Sequence, residues 1–140
     1  MPNLVDTWGW LALGHRRDQH HQQVLEIFQN LRSTKVLIHT SDYVLDEVIT
    51  LLFKREVFQE AVNFMEGVYA ATKLRQVVIH PITSELFQKT WQLRLKYQDK
   101  PRISFTDLTS MIVMQEQGIQ SILTMDDHFI QIGMGFQKIL

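Results

Sequence analysis

The side chains of this chain that could do chemistry are acids. Asp6 stands directly after apolar Leu4-Val5, and Asp46 and Glu47 sit side by side in a helical pattern. Asp107 follows Ser104 by three residues, and Asp126 and Asp127 close the apolar run of "SILTMDDHF". The chain has no Cys, which excludes thiolate zinc sites, thiol catalysis and a disulfide framework, and fits a reducing compartment. Its six histidines show neither HExxH nor triad spacing and read as surface residues. What remains is carboxylate chemistry, and each acid has a simpler duty to be weighed against it.

Helical geometry separates Asp46 from Glu47. At about 100° per residue, the apolar stripe of Val44, Leu45, Val48, Leu51 and Leu52 centres near Val48. Asp46 then points away from the stripe, where a solvated acid belongs, and Glu47 falls at its edge, facing the rim of the core. Asp107 in "SFTD" has the spacing of a capping box, with the helix dipole favouring its charge. Asp6 emerges from a buried strand beside Trp8 and Trp10, with capping of the next helix as its only evident structural duty. Asp126 and Asp127 can cap the short turn before Phe129 and Ile130. Asp126, the first acid past the strand, is favoured over Asp127.

These acids must be positioned by elements that alternate short apolar runs with longer helical patterns. Leu4-Val5 ends a first strand, followed by an apolar helix from Trp8 to Leu13 that Gly14 closes. Asp18 can cap a helix carrying Val24, Ile27, Phe28 and Leu31; Val36-Leu37-Ile38 is a second strand; Ser41 caps the helix of Glu47. A further helix spans about Phe58 to Thr72, and Val77-Val78-Ile79 is a third strand. Pro81-Ile82-Thr83 opens a helix with Leu86, Phe87, Trp91 and Leu95. The polar loop "QDKPR" precedes a helix from Ser104 through Met114, stopped by Gly118. Ile119–Thr124 is strand four, and Phe136–Leu140 forms a fifth. The tryptophans and methionines are assigned to the core. Strands separated by helices imply a parallel sheet covered on both faces, with sites outside the carboxyl ends of its strands. Asp6 and Asp126 hold that position.

Composition narrows the partners. The 140 residues fit one domain, 1–140, with 45% hydrophobic and 21% charged residues. A net charge of −1 argues against a dedicated DNA-binding module, though not against an enzyme acting on a polyanion held through local basic residues or a cation. The opening "MPNLVDTWGW" has no basic n-region or cleavage site, and no stretch is long enough to cross a bilayer, so a cytoplasmic protein is expected.

Over nearly its whole length the chain resembles PIN-domain proteins of the VapC type, which are ribonuclease toxins. "VDTWGWLAL" resembles the family's first motif, an Asp followed by Thr or Ser and an apolar helix, and "TSDYVLDEVITLL" its second, with Glu47 as the acid. "SFTDLTSMIVMQEQGI" is similar to the third, with Asp107, and "ILTMDDHF" to the fourth, a strand ending in Thr-x-Asp-x-x-Phe that selects Asp126. Trp8 departs from the pattern, standing where the family often has a small or hydroxylated residue. The resemblance implies an α/β PIN-like fold with a parallel sheet of about five strands in the order 3-2-1-4-5 and helices on both faces. Strands one and four would then be neighbours, and Asp6, Glu47, Asp107 and Asp126 would converge.

Two unit charges ~4 Å apart repel by ~4 kcal/mol at an effective dielectric of 20, so four clustered carboxylates require a counter-charge. Hard oxygen ligands favour Mg²⁺ or Mn²⁺ over zinc. The expected function is a Mg²⁺- or Mn²⁺-dependent endoribonuclease, the toxin of a toxin–antitoxin pair, with those four acids as catalytic residues and metal ligands. RNA is the expected substrate; a cognate antitoxin and a homodimer are what the resemblance implies. Arg16, Arg17, Lys54 and Arg55 are candidates for guiding the phosphate backbone. Two alternatives stand beside this reading: a phosphoryl-transfer α/β protein, against which Asp6-Thr7-Trp8 lacks the second Asp of a DxDx[TV] motif, and a catalytically silent PIN-like interaction module.

Overall fold

The computed structural model describes residues 1–140. Five strands form one sheet: β1 (Asn3–Val5), β2 (Ile38–Ser41), β3 (Val77–His80), β4 (Ser121–Leu123) and β5 (Gln137–Lys138). Their order is β3-β2-β1-β4-β5 and every pairing is parallel. The connections carry α1 (Thr7–Gly14), α2 (His21–Ser33), α3 (Asp42–Arg55), α4 (Phe58–Lys73), α5 (Ser84–Lys96), α6 (Phe105–Gln117) and α7 (His128–Gln131).

Strand alternation divides the core in two. Leu4 and Ile122 point into a cluster with Leu108, Met111 and Phe129 from α6 and α7. Their neighbours Val5 and Leu123 point into a second cluster with Trp10, Val24, Val48 and Met65 from α1 to α4. Both faces are therefore covered, as a parallel sheet requires. On the β1–β4 side, α1 lies so close to the sheet that a Cβ on Gly9 would meet Val5 Cγ1 at 2.7 Å and the Leu123 carbonyl oxygen at 3.0 Å. This close approach seats the start of α1 at the carboxyl ends of β1 and β4.

Several boundaries differ from the sequence reading. β2 runs from Ile38 to Ser41, two residues later than its apolar run. The Val36 amide is spent on the Leu31 carbonyl at 2.8 Å, closing the turn after α2, so the ladder starts only where Ile38 meets Asn3 and Val77. The strand continues through polar His39, Thr40 and Ser41 because each has a duty there. Thr40 accepts from the indole of buried Trp10 at 3.0 Å, and Ser41 caps α3 by accepting from the Val44 amide. Helix α2 begins at His21 without a side-chain cap; Asp18 accepts instead from the His20 amide, inside the preceding turn. β4 and β5 are shorter than expected. Trp10, Met65, Met111 and Met114 fill the core, but Met1, Trp91 on α5 and Met125 are exposed.

Candidate active site

At the carboxyl ends of β1 and β4 a pocket of about 420 Å³ is lined by Asp6, Glu47, Asp107 and Asp126 together with Thr7, Trp8, Arg102, Ser104 and His128. Four acids from distant stretches of the chain thus meet in one place. The reason is topological: β1 and β4 are adjacent, with Val5 opposite Leu123, while α3 brings Glu47 and α6 brings Asp107 to the same pocket.

Asp6 is the most buried of the four, at 4% exposure. It caps α1, accepting from the Gly9 amide at 2.9 Å, and its other oxygen accepts from the Thr124 hydroxyl. Capping and a place in the pocket are therefore compatible. Both hydrogen bonds favour the ionised carboxylate, yet burial outweighs them and, with the charges of Asp107 and Asp126, pushes Asp6 up to about 7. Thr124 also accepts from the Asp126 amide at 2.9 Å, so one fully buried hydroxyl ties the two acids together.

Asp107 occupies the first turn of α6, where its amide donates to Ser104 Oγ at 3.0 Å. The reciprocal half of a capping box is absent, which leaves the carboxylate free to face the pocket. Burial first, then the neighbouring Asp126 charge, raise it to about 6. Glu47 lies at the rim and accepts from the Thr7 hydroxyl at 3.2 Å, whereas Asp46 is exposed. Asp126 accepts from the His128 amide at 2.8 Å. Asp127 turns outward, 69% exposed, onto Lys138 at 2.8 Å, and that hydrogen bond holds it below the usual carboxylate range.

The sequence reading missed His128. Its Nδ1 stands 3.0 Å from Asp126 Oδ2 and 3.7 Å from Asp107 Oδ2, with the side chain only 25% exposed. Helical spacing gave no signal for it, since residues two apart do not share a helix face; the turn in which the His128 amide donates to Asp126 Oδ1 at 2.8 Å brings the two together. The surface assignment also fails for His39, buried on β2 and stacked on His80 with centroids 5.0 Å apart. Burial and the adjacent His80 lower His39 to about 4. Among the basic residues singled out from sequence, none lines the acid pocket; Arg16 pairs with Glu60 at 3.6 Å. Arg102, which sequence reasoning passed over, does line it.

The donor set fits a hard divalent cation. Ligand atoms of Asp107, Asp126 and His128 lie within 4.8 Å of one another, while Asp6 and Glu47 line the same pocket outside that cluster.

A doubly covered parallel sheet with an acid-lined pocket at its switch point defines an α/β protein whose candidate site lies at the carboxyl ends of its strands. Residues 4–134 match the PIN domain, and the chain belongs to the PIN-domain family. It is similar to the 23S rRNA-specific endonuclease VapC20 of Mycobacterium tuberculosis, with 33% identity over 131 residues covering 93% of each chain. The crystal structure of Mycobacterium tuberculosis VapC20, described as a Sarcin-Ricin loop cleaving toxin, superimposes with a TM-score of 0.75 and 32% identity over 94% of this chain and 95% of that one. No helix is long and apolar enough to cross a membrane.

Proposed function

We propose that the chain is a Mg²⁺- or Mn²⁺-dependent endoribonuclease of the VapC type, the toxin of a toxin–antitoxin pair acting in the cytoplasm as a homodimer. The observation that carries this reading is the convergence of Asp6, Glu47, Asp107 and Asp126 on one pocket, where burial raises Asp6 and Asp107 above the usual carboxylate range. These four acids would hold the metal, which when bound supplies charge neutralisation at the phosphodiester and activation of the attacking water.

The chain's own groups do the positioning. Gly9 and Thr124 fix both oxygens of Asp6, and Thr124 also fixes the backbone of Asp126. Thr7 holds Glu47 at the opposite rim. His128 Nδ1, buried without a hydrogen-bond partner, stands 3.0 Å from Asp126 and 3.7 Å from Asp107 and so faces both carboxylates. The clustered negative charge repels RNA phosphates until a cation is present, so cleavage should depend strictly on divalent metal.

The test is a panel of RNAs incubated with the chain and Mn²⁺, with and without excess chelator. Large ribosomal RNA is the first substrate to try, because the VapC20 relative is a 23S rRNA-specific endonuclease. Metal-dependent endonucleolytic products are expected, and Asp6→Asn should abolish them. Absence of cleavage across the panel would favour the silent interaction module.

A further inference from the structure

Next to the acid pocket lies a second cavity of about 640 Å³, between the α5–α6 loop and α7. Arg102 and His128 line both, so the two hollows share a wall. Arg102 is the only Lys or Arg lining the acid pocket. Its guanidinium takes part in no ion pair or hydrogen bond within the fold. The loop's other cation, Lys100, is locally neutralised by Asp99 at 3.0 Å.

The loop that carries Arg102 is held firmly. Arg94 of α5 donates to the carbonyls of Tyr97 at 2.6 Å, Lys100 at 2.7 Å and Ile103 at 2.8 Å. The Lys100 amide donates to Tyr97 and the Ile103 amide to Lys100, while the Ile103 side chain is buried beside α6. Arg102 is thus anchored on both sides, with its side chain unengaged. A guanidinium presents a fixed fork of donors matched to phosphate oxygens. In a chain of net charge −1, a polyanion needs such local contacts.

We propose that Arg102 binds the RNA backbone phosphate next to the bond being cut, where the strand passes from the acid pocket into the adjoining cavity. Arg94 is the positioning residue that sets the loop for it. This inference rests on the ribonuclease reading. It adds a phosphate contact that the acids themselves cannot make.

The experiment measures single-stranded RNA binding by anisotropy at a fixed Mn²⁺ concentration and monovalent salt from about 50 to 200 mM, in a Glu47→Gln background that slows cleavage. Arg102→Gln should weaken binding about ten-fold or more, as expected for a lost charge-assisted contact. It should also reduce the slope of log affinity against log salt by about 0.7, one single-strand phosphate contact. Arg102→Lys should keep the slope and lose part of the affinity, and Lys73→Gln, on distant α4, should change neither. In the otherwise unaltered chain, Arg102→Gln should raise KM with kcat within a few-fold. Arg94→Gln should weaken binding similarly, and much less when Arg102 is already Gln. An unchanged salt slope for Arg102→Gln, or a loss confined to kcat, would overturn the proposal while leaving the ribonuclease reading intact. A parent chain that neither binds nor cuts RNA would overturn both.

Discussion

Asp6→Asn removes a negative charge from a position that the fold desolvates, and its effect on stability should depend on pH. Burial lifts the Asp6 carboxyl from 3.8 to about 7. Between those values the folded chain keeps a proton that the unfolded chain has lost, so stability falls as pH rises and the cost is complete above about pH 7. Roughly three units at ~1.4 kcal/mol each set an upper bound of about 4 kcal/mol; relaxation around the charge brings the expectation to roughly 2–3 kcal/mol. The parent's own pH profile mixes in an opposite contribution. His39, lowered to about 4 chiefly by burial, costs stability as the pH falls from about 6.5 towards 4, and His80, also lowered by burial, adds a cost of the same sign. The difference between variant and parent isolates Asp6, because the histidines are common to both. In urea melts with chelator, Asp6→Asn should be no more stable than the parent near pH 4.5, where its amide nitrogen fits the Thr124 hydroxyl less well. Near pH 8 it should gain about 1–1.5 M in midpoint at a slope of ~2 kcal/mol per M. Saturating Mn²⁺ should cancel that advantage, since a cation held only by the folded parent stabilises it by mass action. A difference that stays flat from pH 4.5 to pH 8 would refute the reasoning and leave Asp6 as a helix cap whose charge the fold tolerates.

Three further outcomes are expected. Glu47→Gln should cut single-turnover cleavage by at least about 10²-fold while Asp46→Asn stays within a few-fold, and equal losses would undo the distinction between pocket rim and solvent. In calorimetry, Asp126→Asn should weaken Mn²⁺ binding and Asp127→Asn, already paired with Lys138, should not; the reverse order would mean that the wrong carboxylate was assigned. Gly9→Ala should lower stability by roughly 1–2 kcal/mol despite the better helix propensity of Ala, because its Cβ would press on Val5 and the Leu123 carbonyl. An unchanged thermal midpoint would show that α1 can lift away from the sheet at little cost.

Periodicity and motif spacing were enough to separate Glu47 from Asp46, because helical rotation is a local property and three or four residues of pattern define it. The alternation of strands and helices was legible for the same reason, whereas the sheet order was implied by the family resemblance that the four acid motifs carry, and the fold has it. Pattern reading failed where polar residues are buried or where distant segments meet. β2 was placed two residues early because nothing local announces that His39, Thr40 and Ser41 would be inside the sheet. The six histidines looked alike as free surface residues, yet packing put His39 against His80 and His128 between two acids. The basic residues singled out near α1 and α3 lie off the acid pocket, and Arg102 takes that place because three carbonyl contacts from Arg94 shape its loop. The shifted protonation of Asp6 belongs wholly to tertiary structure. Its partner Thr124 lies 118 residues away, and the desolvation that outweighs their hydrogen bond exists only once β1, β4 and α1 have closed over the carboxylate.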